Sequence, residues 1–177
     1  PDGVGVLWGR KSQLEVLEPL VVGGGAVLDV GARAVTLLPP PQRFEAGTGS
    51  LAGVVGLGAA IAFLRAHGAS ARRDHEAALA ARLDHTLRAI PRLRRLGDAT
   101  GALGLASFVL EGVHAHDAGT FLDRAGVAVR AGHHCAQPVM DHFGVTSSLR
   151  ASLGVYNRAV DVDALGDALR RALEVLG

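Results

Sequence analysis

The chain has 177 residues, of which 49% are hydrophobic and 20% are charged, with a formal net charge of +1. This composition is typical of a folded globular protein rather than a disordered one. A net charge near zero with few aromatic residues favours no nucleic-acid partner. The single cysteine excludes an internal disulfide. Because no signal-like start or membrane-length apolar run is present, we expect a cytoplasmic protein with no membrane partner.

The first third of the chain is predicted to contain a strand, a short helix and irregular chain. The apolar run 4–8, bounded by glycines, predicts a buried strand. Ser12 and Glu15 have the spacing of a capping box, which predicts the start of a short helix. The glycine run 23–25 and the proline run 39–41 predict irregular chain between them.

Long helices and then shorter alternating elements follow. The segment 50–67 is apolar nearly all round, so it is predicted to be a helix with both sides buried. Leucines at helical spacing predict a second helix over 72–90, which Pro91 ends. Further strands are predicted at 93–96, 103–110, 127–130 and 149–153, and further helices at 118–125 and 161–176. Strands interleaved with helices predict an α/β or α+β sandwich, with the helices on one side of a small sheet.

Reactive side chains are concentrated at 130–138, which reads Arg-Ala-Gly-His-His-Cys-Ala-Gln-Pro. The segment follows a predicted strand and contains glycine and proline, so we expect a loop at the end of that strand. A thiol is nucleophilic as the thiolate, and neighbouring Arg130, His133 and His134 favour that form of Cys135. The residues alone leave open whether Cys135 is reactive or a small buried apolar residue.

A metal site is another interpretation of the same cluster. His133, His134 and Cys135 are adjacent, and His114 and His116 lie nearby in sequence. Adjacent histidines do not easily ligate one ion through both rings, and the spacing matches no familiar zinc pattern. We therefore expect no metal.

Six motifs, taken in order, resemble those of one enzyme family. The residues at 130–136 are similar to the R-x-G-H-H-C-A signature of SUF-type, group II cysteine desulfurases. Those enzymes belong to the class V aminotransferase family of fold-type I pyridoxal-phosphate enzymes. Five other stretches follow the family's order and approximate spacing: 3–7, 43–48, 56–60, 114–126 and 150–157.

The chain thus resembles the C-terminal part of such an enzyme, an α/β protein with a small α+β sandwich domain. The resemblance implies that residues 1–92 are the end of the large, cofactor-binding domain with linking helices. Residues 93–177 then form the small C-terminal domain that carries the cysteine loop.

The resemblance implies a cysteine desulfurase that uses pyridoxal 5'-phosphate. In that family the cofactor weakens the carbon–sulfur bond of L-cysteine, and an enzyme thiolate attacks the sulfur to give L-alanine and an enzyme persulfide. Cys135 matches this nucleophile, and its sulfur would pass to an acceptor protein for iron–sulfur cluster assembly. The alternatives are a selenocysteine lyase or other carbon–sulfur lyase of the family, and a non-catalytic interaction or sulfur-carrier fragment.

The other site residues also follow from the resemblance. Arg150 matches the arginine that grips the substrate carboxylate, a task suited to a planar bidentate donor. Without the resemblance Arg150 reads as a solvent-facing strand residue. Arg130 is expected on the substrate side, where it supports the thiolate or only holds the loop. Thr48 matches the threonine that reaches the cofactor phosphate of the neighbouring subunit in a homodimer; its plainer reading is a helix N-cap.

The chain also departs from the family pattern. Gly49-Ser50 stands where Pro-Asn is usual, and His133 and His134 either tune the thiol or only pack in the loop. The family's cofactor lysine lies upstream of the position of Pro1, and the only lysine, Lys11, reads as a solvated surface charge. We therefore expect this chain alone neither to hold the cofactor covalently nor to release sulfur from cysteine.

Overall fold

The computed structural model describes residues 3–97 and 104–177, which fall into two compact units, 1–67 and 68–177. The division at residue 68 places the helix α3 (Ala69–Arg88) in the second unit, because Leu79, Leu83 and Leu87 lie in the core of that unit. The predicted domain boundary between residues 92 and 93 stays a prediction.

The described part of the first unit contains two α-helices, a β-hairpin and a short 3-10 helix at Gln42–Phe44. Its elements are α1 (Lys11–Leu14), β1 (Val27–Val30), β2 (Val35–Leu37) and α2 (Leu51–Ala66). The two strands pair antiparallel, and the N–H of Gly31 donates to the carbonyl of Ala34 at 2.9 Å to close the turn. The prediction of irregular chain between the glycine and proline runs is therefore wrong here. Both strands contain valines, whose branched side chains favour extended backbone.

The predicted strand at 4–8 does not form. A strand is stable only with a hydrogen-bonded neighbour, and no strand in the described part of the chain pairs with this run. The side chain of Trp8 is 81% exposed. The short helix predicted next to it does form, as α1, although it begins at Lys11 rather than after Ser12.

Helix α2 forms where the sequence predicts it. The side chain of Ser50 caps the helix by accepting a hydrogen bond from the N–H of Gly53 at 3.3 Å. The predicted burial of both sides is wrong, because Gly53 is the one buried residue of α2 and Val55 is 73% exposed. An apolar surface all round makes burial of a helix favourable, but the helix is buried only where other segments pack against each of its sides.

In its described residues the second unit is built on a four-stranded antiparallel sheet, in which the first and second strands of the unit are followed across the sheet by the fourth and then the third. Its strands are β3 (Leu93–Leu96), β4 (Leu105–Leu110), β5 (Arg130–Gly132) and β6 (Ser148–Ser152). Its helices are α3, α4 (Ala115–Arg124), α5 (Gln137–Phe143) and α6 (Ala159–Leu176).

One face of this sheet forms the core with three helices. Alternate residues of β4 are buried, and Phe108 at the centre of the strand is fully buried. Leu87 of α3, Leu122 of α4 and Leu169 of α6 lie in the same cluster. Because three helices cover one face of the sheet, the structure confirms the predicted α/β fold with a small α+β sandwich.

The other face, called the outer face below, carries the segment after β5. Leu93 and Leu149 pack in or against the core, so the period-two alternation directs Arg94 and Ser148 to the outer face. Arg94 donates to the carbonyl of Phe143 at 3.4 Å, and Ser148 contacts His134 at 3.1 Å. The segment 133–143 therefore lies over the outer face.

Element boundaries differ from the predictions mainly around this segment. Strand β5 occupies 130–132, whereas the sequence predicts 127–130. Helix α5 was not predicted, although Pro138 near its start and Gly144 in a left-handed C-terminal cap are typical signals of a helix. The start of the strand predicted at 103–110 lies outside the described residues.

Among the described residues no single helix is long and apolar enough to span a membrane. Helices α2 and α3 meet the length and composition only when they are taken together across the break between them.

Candidate active site

Two arginines lie opposite each other on neighbouring strands of the outer face. Arg130 of β5 is the direct partner of Arg150 in β6. Leu149 and Ala151 belong to the core and Ala131 packs against it, so both arginines point away from the core. Directly opposed residues have Cβ atoms about 4.5–5.5 Å apart. Two positive charges are therefore concentrated at one point of the outer face.

This arginine pair has unused capacity to bind an anion. None of the ion pairs found in the described part of the chain involves Arg130 or Arg150. The Nε of Arg150 is buried and has no hydrogen-bond partner there. A buried donor without an acceptor costs free energy. Guanidinium groups bind carboxylates in a planar bidentate geometry, so a bound carboxylate would pair with the guanidinium groups of both arginines.

Cys135 lies in a strained turn that connects β5 to α5. The N–H of Ala136 donates to the carbonyl of His133 at 3.0 Å and closes a four-residue turn, called the cysteine turn below. Its central residues, His134 and Cys135, have φ angles of 55° and 56°. Positive φ at both central positions is typical of type I′ turns, which favour Gly, Asn and Asp. Left-handed backbone costs other residues roughly 1–2 kcal/mol each.

The thiol of Cys135 is free and exposed. The interpretation of this residue as a small buried apolar side chain is therefore wrong. Residue 130, which the sequence assigns to the loop, is the first residue of β5, so the turn itself is shorter than expected and covers only 133–136. An exposed thiol on a tight turn is accessible to both a small substrate and an acceptor.

His134 holds the cysteine turn against β6. Its Nε2 lies 3.1 Å from the carbonyl oxygen of Ser148 and 3.1 Å from the hydroxyl oxygen of the same residue. A carbonyl oxygen only accepts hydrogen bonds, so Nε2 carries the hydrogen. Burial lowers the pKa of His134, and the charges of Arg150, Arg130 and His133 lower it further, against the opposing effect of the Ser148 hydrogen bond. The ring is therefore neutral near pH 7.

The neutral ring leaves the other nitrogen of His134 as an acceptor. Its Nδ1 is buried without a hydrogen-bond partner in the described chain. If the ring were charged, Nδ1 would be a buried donor without an acceptor, close to two guanidinium groups. The cost of burying such a donor disfavours the charged ring, which agrees with the lowered pKa of His134. His133, by contrast, is exposed.

A second hydrogen-bonded turn follows β6. The side chain of Asn157 accepts from the N–H of Gly154 at 2.8 Å and donates to Asp161 at 3.2 Å. The carbonyl of Asn157 lies 2.9 Å from the Nε2 of His75 on α3. Asn157, the last residue of the motif at 150–157, thus holds the turn through which the chain leaves β6, the strand that carries Arg150.

Thr48 lies in the first unit and is exposed. It follows Gly47, which has a φ of 80° and whose N–H donates to the carbonyl of Gly24 at 2.7 Å. The cap of α2 is Ser50 rather than Thr48, so the N-cap interpretation of Thr48 is wrong. Its predicted contact with a cofactor phosphate stays a prediction.

The described residues do not by themselves fit a covalent pyridoxal-phosphate site. The side chain of Lys11 is 83% exposed, and its Nζ lies 3.8 Å from Glu15 on the same short helix. A Schiff-base lysine requires an enclosed environment that lowers its pKa. Within residues 3–97 and 104–177 no group of three or more His, Cys, Asp or Glu side chains could hold a metal ion.

The family model of the class V aminotransferases matches residues 1–165. The chain belongs to this family. A probable cysteine desulfurase of Xylella fastidiosa is 39% identical over 177 residues, covering 100% of this chain and 42% of the relative. A probable cysteine desulfurase of Pseudomonas putida is 45% identical over 183 residues, covering 99% of this chain and 43% of the relative.

Solved structures agree with these relatives. The crystal structure of the cysteine desulfurase CsdA of Escherichia coli, in an S-sulfonic acid form, matches with a TM-score of 0.91 and 39% identity. It covers 100% of this chain and 44% of the Escherichia coli chain. An apo cysteine desulfurase of Thermococcus onnurineus matches with a TM-score of 0.85 and 33% identity, covering 94% of this chain and 42% of that chain.

These comparisons confirm the predicted similarity to class V aminotransferases of the cysteine desulfurase kind, and with it the fold. The chain spans about two fifths of the length of the relatives that it matches. It covers 42% of the Xylella fastidiosa protein and 44% of the Escherichia coli chain. Members of the family use pyridoxal phosphate.

Sequence reasoning missed Ser148, the residue to which His134 is bound. It is fully buried although it is polar. One signal was present: Ser148 lies two residues before Arg150, so a strand with period two places both on the same face. The period of two does not predict that Ser148 contacts His134 on that face.

Proposed function

We propose that this chain supplies the sulfur-accepting side of a cysteine desulfurase, with Cys135 as the residue that takes sulfur from L-cysteine. The observation that carries the proposal is the position of the exposed cysteine turn at the end of β5, whose first residue belongs to the Arg130–Arg150 pair. The relatives named as cysteine desulfurases support it.

The reaction balances without an added oxidant. L-Cysteine and the thiol of Cys135 give L-alanine and a persulfide on Cys135. A sulfur–sulfur bond forms as the carbon–sulfur bond breaks; the electron pair of the broken bond stays on carbon, which takes up a proton, and the thiol gives up its own. Pyridoxal phosphate, when bound, activates the carbon–sulfur bond, and the rest of a complete enzyme would have to hold it.

The arginine pair fits the other end of the substrate. Arg150, with its unpartnered Nε, is proposed to bind the substrate carboxylate. Arg130, which is exposed beside it, would add positive charge that favours both the carboxylate and the thiolate of Cys135. His133 is proposed to tune the same thiolate from the exposed start of the cysteine turn.

The partners of the proposed enzyme follow from the same site. The exposure of Cys135 suits transfer of the persulfide sulfur to an acceptor protein, and we place this transfer in iron–sulfur cluster assembly in the cytoplasm. Thr48 is proposed to reach the cofactor phosphate of the neighbouring subunit in a homodimer.

A fusion experiment tests the proposal. The present chain is joined to the part of the Pseudomonas putida relative that it does not cover, and the product is loaded with pyridoxal phosphate and supplied with L-cysteine. We expect L-alanine in solution and, by mass spectrometry, a persulfide on the peptide that contains Cys135.

Two variants of the fusion make the result specific. Cys135→Ala should remove the persulfide and transfer to an acceptor, and Arg150→Met should raise the KM for L-cysteine. Arg94→Met, on the same face of the sheet but on strand β3, is the matched control and should leave the KM unchanged. Alanine release that is unaffected by Cys135→Ala would instead indicate a carbon–sulfur lyase. A fusion that folds and binds the cofactor without turnover would indicate a non-catalytic fragment.

A further inference from the structure

Ser148 is a buried polar residue that the proposed reaction does not use directly. Its side chain is 0% exposed, and both its hydroxyl and its carbonyl oxygen lie 3.1 Å from the Nε2 of His134, fourteen residues earlier in the chain. Buried polar groups are almost always hydrogen-bonded. This contact joins the strand that carries Arg150 to the turn that carries Cys135.

The cysteine turn needs such a contact. Two consecutive residues with positive φ and ordinary side chains persist only when their surroundings hold them. Within the turn, the hydrogen bond from Ala136 to His133 closes the backbone but does not fix the turn to the sheet. The side chain of His134, the first residue with positive φ, makes that connection.

We propose that Ser148 is a positioning residue, which acts through His134 to hold the cysteine turn and thus the thiol of Cys135 in place over β6. The hydroxyl and carbonyl of Ser148 are two acceptors for one N–H, so they select the tautomer with hydrogen on Nε2. Burial keeps this ring neutral, and the neighbouring Arg150, Arg130 and His133 act in the same direction.

This inference deepens the proposed function, since it names a residue that sets the position of the proposed nucleophile. It does not depend on turnover for its test, because the stability of the turn can be measured on the 177-residue chain itself.

The first measurement is amide hydrogen exchange at Ala136, whose N–H closes the turn. Ser148→Ala removes one acceptor of His134 and should speed this exchange about fivefold, the change expected for one ordinary hydrogen bond. Ser152→Ala is the matched control, because Ser152 is on the same strand and face but is exposed. The control should leave the exchange at Ala136 unchanged.

A double-mutant cycle tests whether Ser148 acts through His134. In a His134→Ala chain, which lacks the ring, Ser148→Ala should change the exchange at Ala136 by less than about twofold. His134→Gln keeps an N–H donor near the position of Nε2, so its exchange should remain slower than that of His134→Ala. Additive effects of Ser148→Ala and His134→Ala would overturn the inference, even if one variant is less stable overall.

The second measurement separates positioning from simple stability. The chain contains one cysteine, so the rate of alkylation by iodoacetamide reports on Cys135 alone. In Ser148→Ala the cysteine turn is held less firmly, so the rate of alkylation at one fixed pH should rise, whereas Ser152→Ala should leave that rate unchanged. A rate in Ser148→Ala identical to that of the unaltered chain would refute a positioning role.

The two proposals can fail separately. If the fusion enzyme makes no alanine while the exchange and alkylation results are as expected, the proposed function is wrong and the role of Ser148 stands. If the fusion is active and Ser148→Ala has the same exchange and alkylation behaviour as the unaltered chain, the role of Ser148 is wrong and the proposed function stands.

Discussion

Replacing Arg150 by methionine should stabilise the second unit, although it removes a residue proposed to bind substrate. Arg150 is the direct cross-strand partner of Arg130, and its Nε is buried without a partner in the described chain. Methionine keeps an unbranched stem of similar reach without the charge or the unpaired donor. Sites prepared for a ligand commonly carry such a cost in its absence.

The size of this effect follows from its two parts. Directly opposed like charges on neighbouring strands cost roughly 0.2–1 kcal/mol. The exposure of Arg130 to solvent places this pair towards the lower end. An unsatisfied buried N–H adds about 1 kcal/mol. We therefore expect Arg150→Met to raise the free energy of unfolding by about 1 kcal/mol, which corresponds to about 4 °C in the Tm of a unit of this size.

Urea and thermal unfolding of the 177-residue chain measure this gain. Because the Debye length falls from about 10 Å at 0.1 M salt to about 3 Å at 1 M, 1 M salt should screen this pair and reduce the gain but not remove it. Arg94→Met is the control; Arg94 donates to the carbonyl of Phe143, so its replacement should bring no gain. If Arg150→Met lowered the free energy of unfolding, the arginine pair would be a stabilising feature, and the argument for an unsatisfied anion site would be refuted.

Three further predictions concern the core, the cysteine turn and the turn after β6. Phe108→Ala, in the fully buried centre of β4, should lower the free energy of unfolding by about 3–5 kcal/mol in urea titrations; a loss below about 1 kcal/mol would contradict the described core. Because the pKa of folded His134 lies below its ordinary value of 6.5, the unfolded chain binds that proton more readily, so stability is full above pH 6.5 and falls as the pH drops below it. Comparison with His134→Gln between pH 5 and about 8 isolates this part, and equal pH dependence in both chains would refute it. Asn157→Ala removes two side-chain hydrogen bonds and should cost about 1–2 kcal/mol, with faster amide exchange at Gly154; unchanged exchange there would show that the turn does not need Asn157.

The outward direction of Arg150 is a feature that the local periodicity of the sequence can predict. Alternation in a strand with Leu149 and Ala151 inward already predicts that Arg150 points the other way, and the structure agrees. Local periodicity does not predict which residue lies opposite Arg150. The identity of that residue depends on which strands become neighbours and in which register they pair. Arg130 occupies the position only because β5 lies at the edge of the sheet beside β6.

Helix α2 shows the converse case, in which a local pattern suggests more than it determines. Its apolar composition predicts a helix, and its cap at Ser50 forms as an ordinary local hydrogen bond. The predicted burial depends on which chain surrounds the helix, and that information is absent from the helix itself. Likewise, residues 4–8 have the composition of a strand, but no described strand pairs with them.

The family, the main helices and a reactive segment around Cys135 could be predicted from the residues alone, because motif order, helical spacing and turn residues are properties of neighbouring positions. The pairing of Arg130 with Arg150 and the hydrogen bond between His134 and Ser148 could be seen only in the folded chain. Hydrogen bonds and charge pairs between residues far apart in the chain exist only once the sheet has chosen its strand order and register, so they follow from the fold as a whole.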